Sequence, residues 1–411
     1  MDDVKLERKT EFNVGGVLIP RPFHITRLGH FGLNFEDIGT AVTFYTHLLG
    51  LHISDTLDFA KIGAGLKNSK DFGDTRAYFA RHGTDHHAFV LMPRKVRRAL
   101  DSEKHTPTDV TINQLAWQVG SMAQVANALE WFKNLNMKIY RTGRDIPGSN
   151  WHVYNYDPDR HVNELYYGIE QIGWSGHSKP IAIHSPFFEP PELPYKSEQQ
   201  EVDDGLEANL DLMSGTRSTD DLPGKYDVDG ILMPRPFKIT NNGPVHLFVE
   251  DMDQALNFYS ETLGLKLTET IHWQGHTCHF LRTNTEHHSI GLYPKKIRPI
   301  LGLSGHTTSL SCGFKVNDYQ QLLNAIDFLD AEGIEIKKLP TELFPGMGHT
   351  AFVIDPEGHA LQLYHYMEQI GWDGMPCPPD KRPKINNDNW PSTLEMKSDM
   401  FCGEIYSGPL A

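Results

Sequence analysis

The stretch DPDRHVNELYYGIEQIGW, residues 157–174, returns as DPEGHALQLYHYMEQIGW at 355–372, and GVLIPRPFHIT at 16–26 returns as GILMPRPFKIT at 230–240. Landmarks that recur in the same order at both ends of two units require two copies of one architecture. Phe44, Tyr45, Gly50 and Leu51 likewise recur as Phe258, Tyr259, Gly264 and Leu265. The first copy is the longer, with its excess in FAKIGAGLKNSKD (59–71). One difference stands out in the paired segments: Glu164 of the first copy is Gln362 in the second. A carboxylate has been exchanged for its neutral isostere.

Each copy shows a strand, an amphipathic helix and further strands, twice over. HFGLNFED (30–37) alternates as a strand, and Val42, Tyr45 and Leu49 follow at helical spacing before Gly50. QLAWQVGS (114–121) is the next such strand, with Val125, Leu129 and Phe132 on one helix face. PVHLFVED and SCGFKVND open the corresponding modules of the second copy, with helices around Leu256–Leu263 and Leu322–Leu329. The predicted class is α+β, with four βαβββ modules. Residues 1–176 form the first domain, 177–227 an acidic, proline-rich linker draped over a domain without periodicity of its own, 228–374 the second domain, and 375–411 a C-terminal extension.

Alternation assigns faces. Phe31, Leu33 and Phe35 belong to the packed side of their strand, which turns His30 to the other, more polar side. By the same rule Gln114 opposes Leu115 and Trp117, and Glu164 shares a side with Val162 and Tyr166. If the modules pair into half-barrels, His30, Gln114 and Glu164 meet on the concave wall. An imidazole, an amide and a carboxylate are divalent-cation donors, and a half-buried carboxylate requires a cation or hydrogen-bond donors. Each also has a structural alternative: a strand histidine is often a satisfied core residue, and Gln114 can simply hydrogen-bond.

These residues resemble those of the vicinal oxygen chelate superfamily, which includes glyoxalases, bleomycin-resistance proteins, epimerases and type I extradiol ring-cleaving dioxygenases. The resemblance covers about 16–176 and 230–374 and implies two tandem half-barrel domains. It is closest in pattern to the extradiol branch, whose ligands come from the three strand positions that His30, Gln114 and Glu164 occupy. It further implies that His87, leading the strand HHAFVLMP, acts as acid and base. Tyr154 and, less well matched, Asp145 then fall where extradiol enzymes carry hydrogen-bonding groups, with His152, Tyr156 and Tyr166 lining the substrate space. Position 114 departs from the pattern, which has histidine there. Glyoxalases use glutamine, but their fourth ligand would fall near Val90, which cannot coordinate.

The second copy carries Pro244 where the first has His30, with His246 two residues along, and Ser311 and Gln362 in the other two places. It offers no anion, so a metal is expected in the first copy, with His246 and His288 as a second site or as partners in one shared between copies. The implied cofactor is Fe2+, with Mn2+, Zn2+ or another divalent cation as alternatives. The implied reaction is ring cleavage of a catechol-like or polyhydroxylated aromatic by O2; a non-redox glyoxalase, epimerase or lyase reaction, or non-catalytic binding, are the alternatives. A net charge of −15 disfavours nucleic acid and anionic membrane as partners. No apolar run is long enough to cross a bilayer, the start MDDVKLERKTEF lacks a signal-peptide pattern, and the four cysteines form no CxxC pair. A cytoplasmic homo-oligomer acting on small molecules is the expectation.

Overall fold

The computed structural model describes residues 11–62, 69–100, 106–144, 147–173, 175–183, 189–371 and 373–394. Asp145, Trp174 and Trp372 lie outside the described residues. A hairpin of β1 (Phe12–Val14) and β2 (Val17–Ile19) precedes the first module, which comprises β3 (Ile25–Phe35), α1 (Ile38–Thr43), β4 (His52–Asp58), β5 (Arg76–Arg81) and β6 (Phe89–Pro93). After α2 (Arg94–Leu100), the second module runs β7 (Ile112–Val119), α3 (Met122–Asn134), β8 (Ile139–Arg144), β9 (Trp151–Tyr156) and β10 (Val162–Tyr167). β3 and β7 pair antiparallel, which joins the modules into one eight-stranded sheet of order β4-β5-β6-β3-β7-β10-β9-β8. The long excess of the first copy falls between β4 and β5.

The second copy repeats this plan. After the hairpin β11 (Tyr226–Val228) and β12 (Ile231–Met233) come β13 (Ile239–Val249), α5 (Met252–Asn257), β14 (Lys266–Trp273), β15 (His276–Arg282), β16 (Ile290–Pro294), β17 (Ser309–Val316), α6 (Tyr319–Ala331), β18 (Ile336–Lys337), β19 (Thr350–Ile354) and β20 (Ala360–Tyr364). Its sheet has the matching order β14-β15-β16-β13-β17-β20-β19-β18. The fold is therefore two tandem half-barrels of the predicted class. Modules pair within a copy, so the wall carrying His30, Gln114 and Glu164 contains nothing from β13 to β20, and a site shared with His246 is not formed.

The connecting segment departs from expectation. Glu198–Glu207 forms α4, started by a capping box in which Ser197 accepts from the Gln200 backbone and the Gln200 side chain accepts from Ser197 N–H. The Ser-x-x-Gln signal lay inside KSEQQE, where the surrounding acid and proline obscured it. Glu201 of this helix meets the half-barrel through Arg144, with Oε1 2.6 Å from the guanidinium.

Convex faces of both sheets share one apolar core: Phe31 and Phe89 of the first copy pack on Phe314 of the second at 5.5 and 5.9 Å between ring centres. Between α1 and Gly50, residues 44–48 form a π-helical turn, as residues 258–262 do after α5. The wide turn lets two consecutive aromatics, Phe44 with Tyr45 and Phe258 with Tyr259, both face inward. The tyrosines reach across the seam to the repeated Asp-x-x-x-His turns. Tyr259 donates to Asp157 Oδ2 (2.9 Å) and Tyr45 to Asp355 Oδ2 (3.0 Å). The same carboxylate oxygens hold His161 and His359 through Nδ1, whose Nε2 atoms contact Thr308 and Thr111 of the opposite copy at 2.8 and 3.1 Å.

Burial opposes a charge on His161, but Asp157, by charge and hydrogen bond, outweighs it and lifts the imidazole above its ordinary 6.5. A group raised in the folded state stabilises fully below its unfolded value and loses that contribution as pH rises through the folded one. Asp355, held below 3.8 chiefly by His359 against its burial, behaves oppositely and loses its contribution as pH falls. Thermal unfolding of the wild type and His161→Gln should thus differ most below pH 6.5, with the gap narrowing above it. A pH-independent gap would show an imidazole that is neutral throughout.

The two seams differ at the ring that α3 and α6 present to them. Trp131 of α3 donates its indole N–H to Thr262 O at 3.2 Å and packs edge-on to Phe12. Phe328 holds the matching place in α6, and a groove of about 780 Å³ remains beside Phe44, Leu48 and Tyr226. Phe328→Trp should cover part of its wall and raise stability by about 0.5–2 kcal/mol in urea unfolding. No gain, or a loss, would mean that the groove walls cannot accept the larger ring.

Candidate metal and acid–base site

His30 and Glu164 stand on strands that are not neighbours, since β7 lies between β3 and β10. Backbones two strands apart are about 9.6 Å distant, so what occupies the middle position decides whether the side chains meet. That residue is Ala116, in register with His30 on one side and Glu164 on the other. Above its methyl group His30 Nε2 reaches Glu164 Oε2 at 3.0 Å, both side chains wholly buried. Gln114, one concave position along β7, donates its amide to the same oxygen at 3.1 Å. The three residues expected to converge do so.

Glu164 Oε1 is anchored separately, by the Asn150 amide at 2.6 Å. Burial works against the charge on Glu164, but the charge and hydrogen bond of His30, then His152 and Arg141, hold it below the usual carboxylate range. Tyr154 is in register opposite Glu164, and His152 opposite Tyr166. His152 packs edge-on to Tyr154 at 4.6 Å, and the Arg160 guanidinium lies 4.2 Å over the Tyr156 ring. Tyr154, His152, Tyr156 and Tyr166 therefore share the concave face with Glu164.

His87 enters from the start of β6. Its ring sits edge-on to His30 at 4.3 Å, and Tyr166 touches the same imidazole at 4.9 Å. Burial, then the imidazoles of His30 and His86, hold His87 well below its ordinary 6.5, so it is neutral. The HH turn is fixed by the EQIGW segment: His86 N–H donates to Glu170 O at 2.8 Å and Ile172 N–H to Thr84 O at 2.6 Å.

In the second copy the corresponding wall is closed. His246 occupies the place of Gly32, bonding Ser311 Oγ (2.9 Å) and His288 Nε2 (3.0 Å). Phe248, Phe280, Tyr293, Phe344 and Phe352 fill the concavity as an apolar cluster. Gln362 donates to Met347 Sδ, and among the described residues its carbonyl oxygen has no hydrogen-bond partner. Besides Glu164, the first copy's Asn150, His152 and Tyr154 are also replaced, by Gly348, Thr350 and Phe352. Asn150 was missed in the sequence, although its exchange for glycine parallels that of Glu164 for glutamine.

The sequence matches the Glyoxalase/Bleomycin resistance protein/Dioxygenase superfamily over residues 27–165 and 242–363. The chain belongs to this superfamily. Among curated proteins no sequence matches it. Solved structures share the fold at low identity. The 2,3-dioxygenase LapB from Pseudomonas sp. KL28 has a TM-score of 0.55 at 14% identity, over 86% of this chain and 96% of its own. A Mn(II)-bound glyoxalase from Novosphingobium aromaticivorans gives 0.52 at 13%, over 89% and 96%. Homoprotocatechuate 2,3-dioxygenase from Arthrobacter globiformis gives 0.52 at 16%, over 85% and 83%. No helix among the described residues is long and apolar enough to cross a membrane.

In this superfamily member the donor set fits a divalent cation in composition and spacing. Among the described residues no three His, Cys, Asp or Glu side chains converge for one; the set here is two such residues and an amide. Two donors at about 2.1 Å from one ion and at a right angle stand about 3.0 Å apart, as His30 Nε2 and Glu164 Oε2 do. Turning the Gln114 amide about its last bond presents oxygen instead of N–H. Asn150 would keep Glu164 Oε1 oriented in either state. Asn150→Ala should cost about 1.5–3 kcal/mol in urea unfolding while Glu164 is charged, and about 0.5–1.5 kcal/mol in a Glu164→Gln background. Equal costs in the two backgrounds would show that the amide does not serve the charge.

Proposed function

We propose that the first half-barrel is a metal-dependent extradiol-type dioxygenase site, with His30, Gln114 and Glu164 holding a divalent cation, ferrous iron for this chemistry. The observation that carries the reading is Glu164: a wholly buried carboxylate meeting an imidazole and an amide on one oxygen, in the copy whose concave wall keeps polar side chains rather than the phenylalanine-rich cluster of the other. The fold shared with 2,3-dioxygenases supports it. When bound, the cation supplies a Lewis-acidic centre at which two vicinal oxygens of a catechol-like substrate and O2 are brought together.

The chain's own residues do the rest. His87, neutral and edge-on to His30, accepts the proton of a substrate hydroxyl and returns it later. Tyr154, in register opposite Glu164, would hydrogen-bond the substrate oxygens in this reading. His152, Tyr156 and Tyr166 wall the concave face and exclude water from it. A monoanionic substrate would neutralise the charge left by one carboxylate on a divalent ion.

Gln114 favours a second reading, a non-redox glyoxalase or epimerase type of reaction, as does the fold shared with the Mn(II)-bound glyoxalase. Val90, buried in β6 and in register with Gly32, supplies no fourth donor for it. The two readings part on oxygen. Protein loaded anaerobically with Fe2+ and given a catechol panel should take up one O2 per ring-cleavage product; metal bound at one equivalent without oxygen uptake would favour the second reading. Glu164→Gln should lower metal occupancy at least about tenfold, and Gln114→His should tighten Fe2+ binding, since imidazole is the better iron donor. Unchanged occupancy in Glu164→Gln would remove the carboxylate, and with it this site, from consideration.

A further inference from the structure

The proposed chemistry leaves a buried group unused. Behind His87, its Nδ1 lies 3.0 Å from His86 Nδ1, and His86 Nε2 lies 2.9 Å from Asp55 Oδ2. The other Asp55 oxygen accepts from Thr216 Oγ1, which reaches in from the connecting segment. That segment is pinned there: Ser178 N–H donates to Thr216 O at 2.9 Å, Thr216 N–H to Ser178 Oγ at 3.1 Å, and His177 bridges Arg217. Asp55 and both histidines are buried.

Donor and acceptor rules allow one arrangement when the histidines are neutral. A carboxylate only accepts, so His86 carries its proton on Nε2 and its Nδ1 is a lone pair. His87 must then donate from Nδ1, which leaves its Nε2 bare; among the described residues that atom takes no hydrogen-bond partner. The second copy preserves the same chain with a different end. Glu269 accepts from His287 Nε2 (2.9 Å), His287 Nδ1 meets His288 Nδ1 (2.9 Å), and His288 Nε2 is capped by His246 (3.0 Å). There Arg382 of the C-terminal extension holds the carboxylate, as Thr216 does in the first copy.

We propose that Asp55 and His86, locked by Thr216, are positioning residues that set the tautomer of His87 and so present a bare Nε2 to the substrate hydroxyl. This rests on the acid–base role given to His87 above. When Nε2 takes the hydroxyl proton, the Nδ1 proton of His87 passes to His86 Nδ1, and the positive charge rests on His86 beside the Asp55 carboxylate. His87 is left neutral with its proton on Nε2, ready to return it, and the reverse shift restores the starting state. No atom or electron is left over. Through Thr216 the connecting segment touches the carboxylate end of this chain.

The tautomer is read directly by long-range 1H–15N correlation of 15N-histidine-labelled protein without metal or substrate, with His87 assigned through His87→Gln. Wild type should carry the proton on His87 Nδ1. In Asp55→Asn, Thr216 O–H holds the amide oxygen and turns its NH2 to His86 Nε2, so both rings invert and the His87 proton moves to Nε2. Thr216→Val added to Asp55→Asn frees the amide to flip and restores the wild-type tautomer. Thr216→Val alone leaves it unchanged. In iron-loaded enzyme, kcat should fall by about 10²- to 10⁴-fold in Asp55→Asn with KM within about threefold, and recover in the double variant. If Asp55→Asn fails to fold, His86→Phe removes the acceptor and should give a mixture of His87 tautomers. A wild-type proton on Nε2, or a tautomer indifferent to Asp55→Asn, overturns the proposal. These spectra need no turnover, so they stand or fall separately from the oxygen-uptake assay of the proposed function.

Discussion

Two carboxylates buried at zero exposure hold the two halves of this molecule back to back. Asp157 and Asp355 each accept from a histidine four residues on and from a tyrosine of the other copy. A buried charge with these partners withdrawn is costly by several kcal/mol, so each copy completes the electrostatics of the other. The constraint is reciprocal, which explains why the Asp-x-x-x-His turn is kept in both copies while the concave residues just beyond it have diverged. The shared apolar core supplies the area, and these turns supply the register between the sheets.

With the convex faces joined, the concave faces are left to differ. The first keeps a polar row across β3, β7, β10 and β9, built over the single methyl of Ala116. The second replaces it with a phenylalanine-rich cluster. A protein interior tolerates either a fully satisfied polar network or close-packed apolar side chains. The first wall leans to the polar solution and the second to the apolar one, and only the polar one carries a carboxylate at its centre.

Much of this was legible along the chain. Four modules in two copies, the facing of His30, Gln114 and Glu164, and the neutral character of the second set follow from repetition and from the period of two in strands. The helix α4 was legible in principle through Ser197 and Gln200, but composition masked it. Asn150, Asp55, His86 as more than half of a repeated pair, and Thr216 were not legible. Each acts through a contact that only folding makes, between elements rather than along one, and no periodicity of a single strand or helix records such a pairing.

Sequence alone determined that two like sheets would form and which side chains each strand would turn to its polar face, because alternation and repetition are local properties of the chain. Only the tertiary structure decided that modules pair within a copy, that His30 and Glu164 meet across Ala116, and that a threonine from the connecting segment stands behind His87. Those outcomes depend on which edges pair and on the few ångströms left above a small side chain.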